Sequence, residues 1–197
     1  IRGDGWIYLI RIFDNNSFSS PISLYDVGSN TRGISIADFD NDGCLDIVSG
    51  DSSGFIYFLK GYCNGTFDSP KYAIFDNPLI LNNWIEDFTE GDFNNDNCLD
   101  IILSGDNNYI YLLSGNCDGS FNVSLITTSA PESNGRGKDS ADINKDGNLD
   151  FIYTGYSGGR VWVYYGYGNG SFSSPNLLFD TLGNSNDPYG LAIGDLD

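Results

Sequence analysis

The sequence predicts an all-β protein built from repeated four-stranded antiparallel units. An acidic loop occurs three times, beginning at residues 38, 92 and 142, and a fourth copy begins at residue 195. Successive loops are therefore 54, 50 and 53 residues apart. Each interval holds short apolar stretches separated by Gly, Asn, Asp and Pro, which bound strands. A period of roughly 40–50 residues with four short strands per unit is typical of a β-propeller blade.

Each unit is predicted to contribute four strands in a fixed order. The first strand precedes the acidic loop, at 33–37, 87–91, 137–141 and 190–194. The second follows the loop, at 46–49, 100–104 and 150–154. The third is aromatic and β-branched, at 6–12, 55–60, 109–114 and 160–165. The fourth begins at a Phe, at 18–25, 67–75, 121–127 and 172–179.

The unit boundaries predict one propeller region over residues 1–197 with about four blade equivalents. Residues 1–27 form a partial blade, and full blades follow at 28–80, 81–130 and 131–181. Residues 182–197 supply the first strand of a next or closing blade. Two interpretations stay open: a segment of a longer repeat array, or a ring of four blades in which 182–197 supply the inner strand for 1–27.

The acidic loop has the composition of a site for a hard cation. Oxygen-bearing side chains stand at its positions one, three, five and nine: Asp38, Asp40, Asp42 and Asp46; Asp92, Asn94, Asp96 and Asp100; Asp142, Asn144, Asp146 and Asp150. Asp195 and Asp197 begin the fourth copy. Ca²⁺ takes ~6–8 oxygen ligands in flexible geometry. Without a cation, the carboxylates of one loop would lie within a few ångströms of one another, and each pair would repel by about 1 kcal/mol in water.

The residues between these oxygens agree with a calcium loop. Position six carries Gly43, Asn97 or Gly147, as a turn with positive φ favours. By analogy with other such loops, position seven would offer a backbone carbonyl, from Cys44, Cys98 and Asn148. An acidic solvated turn is the alternative, because Asp, Asn and Gly all favour turns. An EF-hand is excluded because position twelve, which requires a bidentate Glu, carries Ser49, Leu103 and Tyr153.

The chain resembles the FG-GAP/VCBS repeat family, which includes integrin α-subunit propellers and many secreted microbial proteins. The likeness rests on the pattern D-x-[DN]-x-D-[GN]-x-x-D before a strand, and it extends over essentially the whole chain. The resemblance implies a β-propeller that holds Ca²⁺ in the loop between the first and second strands of a blade. Family rings commonly have about seven blades, whereas about four blade equivalents are present here.

The four cysteines predict two disulfide bonds within units. Cys44 and Cys63 are 19 residues apart, as are Cys98 and Cys117. The third unit lacks both partners, which indicates that the two cysteines of a unit are bonded to each other. Free thiols are the alternative, and a zinc site is disfavoured because the chain has no His and no C-x-x-C pair. Disulfides indicate an extracellular protein.

Glycosylation sequons point to the same compartment. They lie at Asn15, Asn64, Asn122 and Asn169. Asn15, Asn64 and Asn169 fall on the same turn, between the third and fourth strands, and the sequon at Asn122 is displaced from it. A glycan on that outer turn would face solvent. Asn-Gly is also a favoured hairpin turn, so the pattern alone has a second explanation.

The candidate ligand surface consists of residues at the mouth of the predicted channel. Arg32, Glu86, Arg136 and Tyr189 precede the first strands, and Trp84 lies between two blades. Trp84 could instead wedge between blades, since Trp is usually largely buried. Four further polar residues on the inner strands, which suit a wet channel better than a core, are Asp87, Glu90, Lys138 and Asp139.

Composition disfavours catalysis, nucleic-acid binding and a membrane span, so we expect the chain to act by binding another molecule. The absence of His removes the most usual general base, and most clustered carboxylates are assigned to calcium, so the chain is not predicted to be an enzyme. A net charge of −18 without a basic patch disfavours nucleic acid, and no apolar run approaches the ~20 residues of a membrane span. We expect an extracellular calcium-binding propeller that presents its loops for the adhesion or recognition of a glycan or protein. The alternative is a building block of a filament or surface layer that contacts copies of itself.

Overall fold

The structure of this chain is a computed structural model that describes residues 5–27, 30–73, 85–105, 108–132, 135, 137–155, 159–180 and 190–194, with only the backbone of Glu86. These residues form β-strands and turns, as predicted. Three sheets have four strands and one has two. The described residues contain no helix that is long and apolar enough to cross a membrane.

The strands follow the predicted order along the chain. The two-stranded sheet contains β1 (Trp6–Leu9) and β2 (Ile22–Asp26). The next sheet contains β3 (Thr31–Ala37), β4 (Asp46–Asp51), β5 (Ile56–Leu59) and β6 (Lys71–Tyr72). Another contains β7 (Ile85–Gly91), β8 (Asp100–Gly105), β9 (Ile110–Gly115) and β10 (Phe121–Thr127). The last contains β11 (Gly137–Ala141), β12 (Asp150–Thr154), β13 (Arg160–Tyr164) and β14 (Asn176–Asp180).

Each four-stranded sheet is an antiparallel meander in which sequence neighbours pair. The second strand of each unit lies between the first and third, and every residue of β4, β8 and β12 is buried. This explains the nearly continuous apolar sequence of those strands, because both sheet faces are covered. The fourth strands are more exposed, as expected at a sheet edge. The exact boundaries of the repeat units stay predictions.

Neighbouring sheets pack face to face through apolar cores. One cluster joins the β3–β6 sheet to the β7–β10 sheet and includes Val48, Phe58 and Phe88. A second joins the β7–β10 sheet to the β11–β14 sheet. Gly50 permits the close approach in the first cluster, because a Cβ there would lie 2.8 Å from the Ile85 side chain. Each sheet is therefore one layer in a row of stacked blades.

Three of the fourth strands begin later than predicted, and a proline explains the delay. Phe18, Phe67 and Phe172 make only isolated bridges, to Ile12, Gly61 and Gly166. In each of these units a Pro follows three residues after the Phe, and the regular strand begins directly after it, at Ile22, Lys71 and Asn176. Proline has no N–H to donate to a ladder. The second unit has no such Pro, and its strand runs from Phe121 as predicted.

The strand predicted at 190–194 is not formed. These residues have no strand assignment, although they lie against β11: a Cβ on Gly137 would lie 3.1 Å from Leu191. Ile193 donates its backbone N–H to the Asp139 carboxylate at 2.6 Å. A strand needs a ladder partner, and in the part of the chain that the structure describes no strand pairs with this segment. The described residues of 190–194 likewise make no pairing with β1, where the four-blade ring would place them.

Candidate metal centre

The three acidic loops share one backbone conformation with two left-handed residues. Position six has positive φ as predicted, with values of 87° at Gly43, 66° at Asn97 and 90° at Gly147. Position four also has positive φ, which the sequence analysis missed. The residues there are Asn41, Asn95 and Lys145, with φ of 55°, 60° and 64°. Asn at two of these positions was the available signal, because Asn tolerates this region better than most residues.

The position-one and position-five aspartates organise the loop through backbone N–H groups. In the first loop Asp38 accepts N–H bonds from Asp42 at 3.0 Å and Gly43 at 2.9 Å. Asp42 in turn accepts the N–H of Cys44 at 2.8 Å. The same bonds recur in the other loops, on Asp92, Asp96, Asp142 and Asp146. This network turns the carboxylates toward the interior of the loop.

Position three distinguishes the first loop from the others. Asn94 and Asn144 donate an amide N–H to Asp96 and Asp146, both at 2.9 Å. The first loop has Asp40 instead, and the Lys60 ammonium bonds to both Asp40 and Asp42, at 2.6 Å from the latter. These hydrogen bonds raise the pKa of Lys60 and lower that of Asp42.

The first loop fits a cation. One oxygen each of Asp38, Asp40 and Asp42 lies within 4.8 Å of the others. The Asp40 side chain is only 9% exposed, and its Oδ1 is buried without a hydrogen-bond partner. A buried acceptor without a partner is costly. A cation among these oxygens would remove that cost, and the Lys60 ammonium already occupies part of this position.

The position-nine aspartates have a structural role that the sequence did not reveal. Asp46, Asp100 and Asp150 are fully buried. One oxygen of each accepts the N–H of the position-two residue at 2.9–3.0 Å. The other accepts the N–H of a glycine at the end of the third strand or just after it, at 2.8–2.9 Å, from Gly61, Gly115 and Gly166. Burial raises the pKa of Asp46, and it raises the pKa of Asp100 to about 6. These carboxylates join the loop to the third strand; their role as metal ligands stays a prediction.

Two disulfides make the same connection covalently. Cys44 is bonded to Cys63 and Cys98 to Cys117, with Cα–Cα distances of 4.9 and 5.0 Å. These are the pairs that the spacing predicts, and no described cysteine is free. Cys63 lies in the turn between the third and fourth strands. Each bond thus joins position seven of a loop to that turn.

The third unit replaces the disulfide with an asparagine side chain. A Cβ on Gly168 would lie 2.1 Å from Oδ1 of Asn148, so a side chain there would collide with it. Gly168 has a φ of 68°, close to the 55° and 56° of Cys63 and Cys117. The backbone is therefore conserved among the repeats while the covalent bond is exchanged for a polar side chain.

Comparison with known proteins agrees with this geometry. The profile of the FG-GAP-like repeat matches residues 38–103, 92–153 and 142–197. The chain belongs to the FG-GAP-like repeat family. No curated protein matches it.

Solved structures show the same fold at low identity. A lectin of Agrocybe aegerita, solved for its specific recognition of non-reducing terminal N-acetylglucosamine, is 20% identical with a TM-score of 0.65, over 91% of this chain and 48% of that chain. BBS1N, solved in complex with ARL6DN and soaked with lead, is 14% identical with a TM-score of 0.54, over 90% and 49%. The FG-GAP-like chain thus spans about half the length of each. These likenesses show the fold alone and confirm an all-β propeller of four-stranded antiparallel blades.

Adjacent FG-GAP-like loops are joined side by side. The Asn41 amide donates to the Asn97 carbonyl at 3.2 Å and to Cys117 Sγ at 2.9 Å. One unit further, the Asn95 amide donates to Asn148 Oδ1 at 3.0 Å. The position-four asparagines therefore connect each loop to the next. The three loops form one continuous surface, which we name the loop face.

The inner-strand polar residues connect blades, and one of them contradicts the wet-channel prediction. Lys138 is 5% exposed; its N–H bonds to the Asp87 carboxylate at 3.1 Å and its ammonium to the Asp87 carbonyl at 3.3 Å. The prediction that Lys138 lines a wet channel is therefore wrong. Ser35 donates to Glu90 at 2.8 Å across the neighbouring pair of blades. Burial raises the pKa of Asp87.

The remaining predicted sites are only partly described. Arg32 is exposed on β3, and for Glu86 only the backbone in β7 is described. Trp84, Arg136, Tyr189, Asp195 and Asp197 lie outside the described residues. The four sequon asparagines, Asn15, Asn64, Asn122 and Asn169, are exposed. In three of them Oδ1 accepts bonds from the N–H and hydroxyl of the sequon Ser or Thr, as Asp118 does in the second unit.

Proposed function

We propose that this FG-GAP-like chain is a non-enzymatic, calcium-binding β-propeller region that acts outside the cell by presenting its loop face and channel mouth to a glycan or protein. The observation that carries the proposal is the first loop, where three carboxylates converge and a buried oxygen of Asp40 lacks a partner. The same backbone occurs in the second and third loops.

Calcium would be held by side chains at positions one, three, five and nine and by the position-seven carbonyl. The bound ion supplies two positive charges that offset carboxylate repulsion and bring the loop oxygens together. The backbone N–H bonds to Asp38 and Asp42 already give those side chains their orientation. Little ordering is then required when the ion binds.

Recognition is supported by the fold and by the described surface. The Agrocybe aegerita lectin shares the fold and recognises a terminal sugar. In this chain Arg32 is exposed on β3, one of the predicted channel-mouth positions. The predicted glycan or protein contacts at Trp84, Glu86, Arg136 and Tyr189 belong to the same proposal.

An extracellular setting is supported by the two disulfides and by exposed sequons. Disulfides persist in oxidising compartments and are rare in the cytosol. Glycans at Asn15, Asn64, Asn122 or Asn169 would point into solvent, since all four side chains are exposed. Asp118, which makes the turn without a sequon, shows that turn formation alone also favours this residue pattern.

Self-association is the second candidate function, and the outer strand β14 favours it. Leu177, Leu178 and Phe179 are 51%, 53% and 59% exposed on this edge strand. An exposed apolar edge strand is a template for pairing with another chain. A filament or surface layer would cover it with a neighbouring copy.

Thermal unfolding in calcium and in EGTA tests the calcium part of the proposal. An ion that binds only the folded state stabilises it by about 2.7 kcal/mol at a hundredfold excess over Kd. We expect the melting temperature to be several degrees higher in calcium, and Mg²⁺ at the same concentration serves as control. Equal melting curves in calcium and EGTA would refute structural calcium.

A glycan array probed with the calcium-loaded chain tests recognition, with Arg32→Ala as the matched variant. Binding that the variant weakens supports the channel mouth. A silent array together with concentration-dependent association in sedimentation would instead favour self-assembly. In that case Leu178→Lys should restore the monomer, because a charge on an edge strand prevents pairing.

A further inference from the structure

The strongest unassigned feature of the chain is Lys60, which follows β5 and whose ammonium reaches the carboxylates of the first acidic loop. Gly61, Gly115 and Gly166 are equivalent, because each donates its N–H to the position-nine aspartate of its unit. The residues directly before them are Lys60, Ser114 and Tyr165. Of these three repeats, the first alone carries an ammonium at this place.

The Lys60 ammonium lies beside the position-three carboxylate, where a bound metal would lie. Its ammonium contacts carboxylate oxygens of both Asp40 and Asp42, and its side chain is 29% exposed. In the second and third loops the corresponding bridge is made by the neutral amides of Asn94 and Asn144. The lysine and the extra carboxylate of Asp40 thus occur in the same repeat, and the charge of Lys60 offsets the additional negative charge that the first loop carries relative to the second.

We propose that Lys60 is a tethered counter-cation of the first loop, which holds the carboxylates together in the absence of calcium and is displaced when calcium binds. This inference rests on the proposed function, because it assumes calcium in the loops. Ca²⁺ and the ammonium compete for oxygens of Asp40 and Asp42. The first repeat is therefore less dependent on calcium than it would be without the lysine, and its affinity for calcium is reduced.

The size of the effect follows from the two ion pairs that must be broken. Pairs near the surface are individually weak, and the longer of these two contacts involves Asp42, whose side chain is 33% exposed. We expect Lys60→Ser to increase the calcium affinity of the first loop by about tenfold, which corresponds to about 1.4 kcal/mol. Serine is the residue that the second repeat carries at this position.

The test is calcium binding by equilibrium dialysis and calorimetry, together with melting temperatures in EGTA. Lys60→Ser should increase the affinity of one site and leave the others unchanged, and it should lower the melting temperature in EGTA. Lys71→Ser is the matched control, because it also removes one ammonium, from an ion pair with Asp68 outside the loops. Ser114→Lys is the reciprocal variant, and we expect it to weaken one further site.

The outcomes separate this inference from the proposed function. If Lys60 keeps calcium out of the first loop completely, the wild type should bind two ions and Lys60→Ser should bind three. That result would support the inference. Identical isotherms for the wild type and Lys60→Ser, with calcium bound by both, would overturn the role of Lys60 and leave calcium binding intact. No calcium bound by any variant would overturn both.

Discussion

Replacing Asp150 by Ala should destabilise the protein even without calcium, whereas replacing Asp142 should matter mainly with calcium. Both residues are predicted ligands of the third loop, but their surroundings differ. Asp150 is fully buried and accepts the N–H groups of Ile143 at 2.9 Å, Asn144 at 3.3 Å and Gly166 at 2.9 Å. Asp142 is exposed and accepts N–H groups from residues that are themselves exposed.

The expected magnitude follows from what happens to each donor. The Gly166 N–H is buried and would lose its partner, that of Ile143 is half-buried, and that of Asn144 can bond to water. A buried donor without a partner costs about 1–3 kcal/mol. We therefore expect Asp150→Ala to lower the free energy of unfolding in EGTA by about 3 kcal/mol. Asp142→Ala should cost less than about 1 kcal/mol in EGTA, because water replaces the carboxylate.

Urea unfolding of both variants in EGTA and in calcium measures the difference. The third loop suits this experiment because it has no disulfide to hold it. In calcium the deficit of Asp142→Ala should grow toward the stabilisation of about 2.7 kcal/mol that a bound ion supplies at a hundredfold excess over Kd. Asp150→Asn, which keeps one acceptor oxygen, should lie between Asp150→Ala and the wild type. Equal losses for Asp142→Ala and Asp150→Ala in EGTA would refute a structural role for position nine.

Three further predictions concern the disulfides and pH. Replacing Cys44 and Cys63 together by Ser should reduce the free energy of unfolding by about 3 kcal/mol in urea titrations, since the bond closes a loop of about 20 residues. Asn148→Cys with Gly168→Cys should form a third disulfide, detectable by non-reducing peptide mapping, because Gly168 has the backbone conformation of Cys63. The pKa of Asp100 is raised from 3.8 to about 6, so the folded state binds its proton more tightly. Its contribution to stability in EGTA should therefore fall as pH rises from about 4 to 6, and Asp100→Asn should remove this dependence.

Matched measurements make these predictions specific. Dithiothreitol should destabilise the wild type and leave the double serine variant, which keeps the bond of Cys98 to Cys117, with a smaller response. Free thiols in the engineered double cysteine variant would contradict the backbone equivalence. Asp14→Asn, which alters an exposed turn, controls for the general loss of a negative charge in the pH series. An unchanged pH slope in Asp100→Asn would show that other carboxylates produce it.

The repeated parts of the fold could be predicted from the sequence because equivalent positions of the repeats can be compared with one another. The disulfide pairing followed from the joint replacement of two cysteines by Asn148 and Gly168, and the structure shows why both change together. The late start of three fourth strands was also readable, since a Pro follows each of Phe18, Phe67 and Phe172 and is absent after Phe121. That signal depends on one missing N–H rather than on the apolar pattern from which the strands were predicted.

The remainder of the site depends on contacts between segments that are distant in sequence. Lys60 reaches the first loop only because β5 pairs with β4 in the register that brings Leu59 opposite Ile47. Lys138 was expected to face water, but its neighbour across the blades is Asp87, which accepts its hydrogen bonds. Spacing within one repeat contains no information on either contact. The structural role of position nine was missed for the same reason, since one of its two backbone partners is a glycine 15 or 16 residues further along the chain.

The loops of the loop face are held in place by bonds that do not require a metal, and these bonds limit the effect that calcium could have on the structure. Each loop is bound to the end of its third strand by a buried position-nine carboxylate, and two of the loops are also bound by a disulfide to the turn that follows that strand. Asn41 joins the first loop to the second, and Asn95 joins the second loop to the third. The sheets should therefore persist in EGTA, while the carboxylates at positions one and five of each loop repel one another. The proposed calcium would then act on the order of the loop face and on the melting temperature, and Lys60 would reduce that dependence in the first repeat.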